Sequence, residues 1–429
     1  MPPIGMAPDA LHVPLLRPVP VVPGLDQSLR FLADPYRFIA RECHRLGSDV
    51  VLARLMLQPT LCLTGPGAAE LFYDCTRVRR AGLVPEPKRA GLFGGYAVPT
   101  SGGDPHPSRM RFIVATSGPL AAAALVTRAL REWDRLLPHW CARPRLVLYG
   151  AAQEWLARTA CAWAGIPLAR DEVGSRTAQL AALFDPPAGG LAAHLRARLA
   201  RRDAETWLAR LVQDHRRQWV FTEDSPAAAA AELVDSQGGQ RLPARLAAAE
   251  LLNLLRPIVA VSVFVALAAH ALHRHPGWRD SLADGEDGDL EAFVQEVRRF
   301  YPFFPAVPGQ VRREFVWEGW HFPQGARVML DLYGTNHDAR AWPQPHEFRP
   351  ERFFGAVPGL FDFVPHGGRA EDGPRGPGEG LTLALMKLAL RQLALHLRYQ
   401  VPAQDLDLRM DRPPALPRDR FVVERLVPI

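Results

Sequence analysis

The sequence predicts a mainly α chain with a minor β portion, folded as one large domain, and three observations lead there. Residues 106–275 repeat apolar side chains at helical spacing almost throughout, with turn signals at Gly165-Ile166-Pro167, at residues 186–190 and at Gln237-Gly238-Gly239. Strand-like alternation is confined to residues 50–63 and to the short runs and turns of residues 300–348. The length would allow about two or three domains of roughly 150 residues each. No composition shift, linker or internal repeat divides the 429 residues, so a single domain over residues 1–429 is expected, beginning with an extended segment over residues 1–25.

In chain order, the N-terminus has no basic segment followed by an uninterrupted apolar one, so it does not read as a signal peptide. Residues 26–46 have helical spacing, residues 50–63 read as short strands and residues 65–75 as another helix. Residues 79–107 are rich in glycine and proline and read as a long loop, a length that is usually functional or disordered. Helix resumes to about residue 275, gives way to strands and turns, and dominates again after Gly380.

Charge and cysteine content narrow the partners. The net charge of +6 comes from 51 basic and 45 acidic residues scattered along the chain, with no block of Lys and Arg to act as a nucleic-acid arm. The five cysteines all lie within the first 161 residues and form no zinc spacing, which suits reduced thiols in the cytoplasm. The longest apolar run, residues 258–269, is short of the roughly 20 residues a membrane span needs. A cytoplasmic location is expected, with neither nucleic acid nor membrane as a partner.

Two stretches carry chemistry. Residues 361–380, FDFVPHGGRAEDGPRGPGEG, are glycine- and proline-rich and feed an apolar helix over residues 381–396, an arrangement suited to holding a ligand closely. Residues 243–275 form the longest helical pattern, with Pro257 in its middle expected to kink it. Arg256 precedes that kink, and no acidic residue occurs from position 251 through 272. Three readings of Arg256 stand side by side: a salt bridge to a distant acid, a side chain reaching solvent, or a clamp for a substrate carboxylate.

Other candidates have plain structural alternatives. Glu296 and Arg299, three apart on a helix, could be a surface ion pair. His270, His273 and His275 could bind zinc, or cap carbonyls and face solvent. Leu92, Phe93 and Phe303 could wall a pocket or be ordinary core. The glycine-rich loop lacks the GK[ST] ending of a phosphate-binding loop, which disfavours a nucleotide.

Taken in order, ExxR at Glu296 and Arg299, PERF at residues 350–353 and the glycine-rich loop running into PGEG at residues 377–380 resemble the haem-thiolate cytochrome P450 superfamily. The chain is similar within it to the bacterial fatty-acid peroxygenases, including those that decarboxylate fatty acids to alkenes. The shared stretches are SDVVLARL from Ser48, LFYD from Leu71, LFG from Leu92, ACAWAGIPL from Ala160, LLNLLRPIVA from Leu251, FVQEVRRFYPF from Phe293, LDLYGTNHD from Leu330 and EFRPERF from Glu347.

The resemblance implies the cytochrome P450 fold, a haem b cofactor, a fatty or related carboxylic acid as substrate and hydrogen peroxide as oxidant, with no reductase. It implies that Glu296, Arg299 and Arg352 form a structural charge triad. Arg80, His106 and Arg375 match positions that hold haem propionates, while Met110 stands where a basic residue is expected. Arg256 and Pro257 match the pair that replaces the acid-alcohol pair of ordinary monooxygenases, the arginine holding the substrate carboxylate. The chain departs from the pattern in two further places: Pro99 stands where Gln or His is usual above the haem, and Gly376 stands where the axial cysteine belongs. No cysteine follows Cys161, and His366 is the nearest other residue able to coordinate iron.

Overall fold

Two short helices, α1 (Ser28–Ala33) and α2 (Phe38–Leu46), lead into the hairpin β1 (Val50–Leu55) and β2 (Gln58–Leu63), and then into α3 (Pro66–Tyr73) and β3 (Val78–Arg79). The computed structural model describes residues 16–79, 107–185, 190–234, 239–284, 287–355, 357–365 and 378–429. The helical spacing of residues 26–46 is therefore split in two, because Pro35 falls in the turn between α1 and α2, where its ring and missing N–H disfavour continuation. Helix α2 stops at Gly47, which takes the left-handed conformation (φ 59°) that L-residues adopt reluctantly.

The helical half follows as α4 (Pro107–Ser117), α5 (Pro119–Cys141), the short strand β4 (Arg145–Val147), α6 (Leu148–Ala164), α7 (Val173–Ala181), α8 (Gly190–Gln218), α9 (Pro226–Ala231) and α10 (Ala244–Arg274). Strand β4 interrupts the expected run of helix because it pairs with a strand from the far C-terminus, a partner no local pattern reveals. Helix α6 ends at the left-handed Gly165 (φ 74°), where a Cβ would stand 2.4 Å from that of Ser225. Ser225 in turn caps α9 by accepting from the Ala228 N–H at 3.2 Å.

Beyond α10 come α11 (Gly277–Asp284), α12 (Asp287–Phe300), β5 (Ala306–Val311), β6 (Phe315–Trp317), β7 (Trp320–Phe322), β8 (Arg327–Asp331), α13 (Leu332–Asn336), a 3-10 turn over Pro350–Phe353 and α14 (Glu379–Leu395). The chain closes with β9 (Leu397–Gln400) and β10 (Val422–Pro428). The last thirty-odd residues are thus strand and irregular chain, not the helix expected to dominate after Gly380; β10 pairs with both β4 and β9.

Five strands form one sheet in the order β1-β2-β8-β5-β3, with β2 and β8 parallel in the register Thr60↔Arg327 to Leu63↔Leu330 and the other pairs antiparallel. The largest core lies among the helices and centres on α10, which packs on α6, α8 and α14 and is buried at every position from 261 through 272. Helix α10 has the length and composition to cross a bilayer, yet most of its apolar stretch is packed inside the protein as a core helix. Pro257 lies inside α10 without ending it, since that helix is held by packing on several sides.

Candidate active site

On α10, side chains between 251 and 272 are buried except at Asn253, Leu254, Arg256, Pro257 and Ala260. Positions 253, 256, 257 and 260 are separated by three, four and seven residues, so they share one face of the helix. Arg256 and Pro257 thus lie on a partly exposed face in the middle of the core helix. Phe303 is buried, stacked at 4.9 Å on Phe264 of the same helix and set edge-on at 4.4 Å to Phe304, which is the ordinary core environment.

The Glu296–Arg299 pair is not on the surface. Both side chains are fully buried on α12, and Arg299 donates from Nε to Glu296 Oε2 and from Nη2 to Oε1, each at 2.7 Å. Its remaining N–H groups reach the backbone carbonyls of Asn336 (3.0 Å), Pro345 (2.9 Å) and Glu347 (3.1 Å). Glu296 Oε1 also accepts from the Arg349 N–H at 2.8 Å and from Arg352 Nε at 3.3 Å. The three charges predicted to meet do meet, and they tie α12 to α13 and to the 3-10 turn.

Sequence reasoning missed two supports flanking the glycine-rich loop. Arg298, next to Arg299 and just as deeply buried, donates from Nη2 to Glu379 Oε1 at 2.5 Å, fixing the first residue of α14 to α12. Its guanidinium lies 5.2 Å from the centre of the Phe363 ring. On the entry side, the Val364 N–H donates to Asn336 Oδ1 at 2.7 Å and Trp342 Nε1 donates to the Asp362 carbonyl at 2.9 Å. Consecutive arginines in VRRF were the available signal, because two guanidiniums buried on one helix require two separate anions. Arg80, Leu92, Phe93, Pro99, His106, His366, Arg375 and Gly376 lie outside the described residues.

The three histidines at the end of α10 do not converge. His270 Nδ1 and the Tyr301 hydroxyl are 2.8 Å apart, His273 meets the Phe421 ring and His275 stacks at 4.8 Å on Phe348. Among the described residues no group of three His, Cys, Asp or Glu is placed to hold a metal ion. Near this end of α10 lies an open cleft of about 880 Å³ lined by Arg274, Trp278, Asp289, Glu351 and Phe354. It is about 27 Å along the helix from Arg256 at 1.5 Å per residue.

Burial holds His270 well below the usual imidazole range, at about 4, although a backbone bond to Leu406 works the other way. Because the folded value is depressed, the unfolded chain takes up the proton first as pH falls, so stability is full above about 6.5 and is lost towards pH 4. Complete titration corresponds to a loss on the order of 3 kcal/mol. Urea midpoints measured across that window should fall for the wild type, and His270→Gln should flatten the slope.

Three of the five cysteines are buried and held as neutral thiols. Cys43, Cys62 and Cys161 are buried, and desolvation pushes Cys62 and Cys161 up to about 12 and Cys43 higher still. Cys43 and Cys62 belong to the small core beneath β1 and β2, and Cys161 to α6.

Comparison with known proteins matches this framework. The cytochrome P450 family model matches residues 290–423, from α12 into β10. Tabersonine 6,7-epoxidase isoform 1 of Catharanthus roseus is 32% identical over 128 residues, which make up 28% of this chain and 24% of that protein. The chain thus spans about a quarter of the length of that curated relative. Similarity is far more extensive to cytochrome P450SP alpha (CYP152B1) in complex with (R)-ibuprophen, at 43% identity and TM-score 0.88 over 94% of this chain and 99% of that one. Cytochrome P450EX alpha (CYP152N1) with myristic acid is 34% identical, with TM-score 0.89 over 96% of this chain and all of that one. The chain belongs to the cytochrome P450 superfamily. Within it the similarity is to the CYP152 branch of fatty-acid peroxygenases.

Membership implies a haem, and the residues of this chain do not fit a thiolate-ligated one. No cysteine follows Cys161, so the loop between Val364 and Glu379 contains no thiol. Both ends of that loop are held as described above.

Proposed function

We propose that the chain is a P450-type oxidoreductase of the fatty-acid peroxygenase kind in which Arg256, beside Pro257, holds the carboxylate of a fatty or related acid. Hydrogen peroxide is the oxidant in this reading, no reductase takes part, and hydroxylation or decarboxylation of the acid is the reaction class. The position of Arg256 on a partly exposed face in the mostly buried middle of α10 carries the reading. Guanidinium suits a carboxylate there, because its planar fork can donate two parallel hydrogen bonds. The carboxylic acids bound by P450SP alpha and P450EX alpha support the same class of ligand. Arg80, His106 and Arg375 are the residues we assign to the haem propionates, and Leu92 and Phe93 to the pocket.

Gly376 limits this chemistry, and with it the chain holds its acid better than it turns it over. That favours a second reading, a carboxylate-binding protein or non-redox enzyme on the same fold. The acid site is common to both and is tested directly. Titrating the purified protein with myristic acid should give binding that Arg256→Ala weakens about 10- to 100-fold, the value of a charged hydrogen-bonded pair. Equal affinity in the variant would remove Arg256 from the site.

A further inference from the structure

The cleft at the end of α10 is lined by charges that the fold leaves unmatched. Of the acids on α12, Asp287 pairs with Arg391, Glu291 with Lys387 and Glu296 with Arg299. Asp289, the fourth, lines the cleft and has no cation within ion-pairing distance among the described residues, and neither has Glu351 on the 3-10 turn. The helix dipole accounts for an acid in the first turn of α12, but not for its lacking the partner that its neighbours have. Arg274, which lines the same cleft, is likewise without a carboxylate among the described residues.

The remaining lining is aromatic and offers a further acceptor. Trp278 is half-buried, its ring 5.8 Å from that of Phe293 and 6.3 Å from that of Phe354, which is itself 48% exposed. At the end of α10, Pro276 has no N–H, and the Trp278 N–H goes to the His275 carbonyl at 3.1 Å instead of closing the last turn of the helix. The Arg274 carbonyl therefore receives no backbone donor. Burial and the adjacent Arg274 hold His275 below the usual imidazole range, so its ring is neutral at pH 7. The described lining thus presents two negative charges and one positive.

A ligand matching this set brings two cations, one carboxylate and a flat surface for the indole. We propose that the cleft binds a free dibasic amino acid of the arginine type, its guanidinium and α-ammonium meeting Asp289 and Glu351, its carboxylate meeting Arg274, and its guanidinium plane resting on Trp278. The space of about 880 Å³ falls within the range of roughly 300–1,000 Å³ usual for small-molecule sites. A metal ion does not suit it, since no three ligating side chains converge among the described residues. A fatty acid does not suit it either, because its one negative charge would face two carboxylates. The site lies about 27 Å from Arg256 along α10 and depends neither on that arginine nor on haem.

Calorimetric titration of the full chain with L-arginine tests it. Saturable binding at one site is expected, weakened about tenfold or more by Asp289→Asn and by Glu351→Gln. Neither carboxylate is bonded to the rest of the fold, so both variants should keep the wild-type urea midpoint. Citrulline, whose ureido group is the uncharged counterpart of guanidinium, should bind about tenfold or more weaker. Arg274→Gln should weaken arginine but not agmatine, which has no carboxylate. The proposal is overturned if L-arginine shows no saturable binding up to about 10 mM, or if citrulline binds as tightly as arginine. Equal binding by Asp289→Asn and Glu351→Gln, or displacement of arginine by myristic acid, overturns it as well.

Discussion

Replacing Gly376 with cysteine is expected to convert a chain with little or no thiolate-type haem into one that shows it after reconstitution with haemin. The reduced carbon-monoxide complex of Gly376→Cys should display the absorption band characteristic of thiolate ligation, and the wild type should not. The argument rests on what surrounds the position. Arg298 fixes Glu379 at the loop exit, and Asn336 and Trp342 hold Val364 and Asp362 at its entry, so one added side chain meets a supported backbone on both sides. Changing residues that merely orient metal ligands typically alters affinity or activity 10- to 100-fold, so supplying the ligand itself should raise peroxide-driven turnover of a fatty acid by at least about 100-fold. A Gly376→Cys protein that binds haem no better than the wild type would show that more than the ligand has been lost and would favour the non-redox reading. A wild-type chain that already gives the thiolate band would contradict the ligand assignment.

Arg299→Leu is expected to be the most destabilising single change on α12, at about 3–5 kcal/mol, because it leaves the carboxylate of Glu296 buried without its bidentate partner. It also orphans the carbonyl of the buried Asn336 and removes a donor from those of Pro345 and Glu347. Arg352→Ala should cost less, about 1–2 kcal/mol, since its side chain is slightly exposed and its bond to Glu296, at 3.3 Å, is the longer one. Urea unfolding of the two variants orders them. Pairing Glu296→Leu with Arg299→Leu should recover part of the loss, because an apolar pair avoids the stranded charge. Equal cost for Arg299 and Arg352 would mean that the buried pair does not organise this corner of the fold.

The sequence by itself determined the class of the fold, the long helix around Arg256 and Pro257, the meeting of Glu296, Arg299 and Arg352, and the absence of any cysteine after Cys161. These are legible because helical periodicity is local and because an ordered set of motifs carries its own spacing. Only the tertiary structure decided the rest. It moved Glu296 and Arg299 from a plausible surface pair to full burial and supplied Arg298 as a second buried guanidinium for Glu379. It separated three histidines that look like a cluster into three unrelated contacts. It replaced expected helix with β4, β9 and β10, whose partners lie hundreds of residues apart in the chain or past irregular segments. Burial and strand pairing depend on what the chain brings together from a distance, and no short window of sequence carries that information.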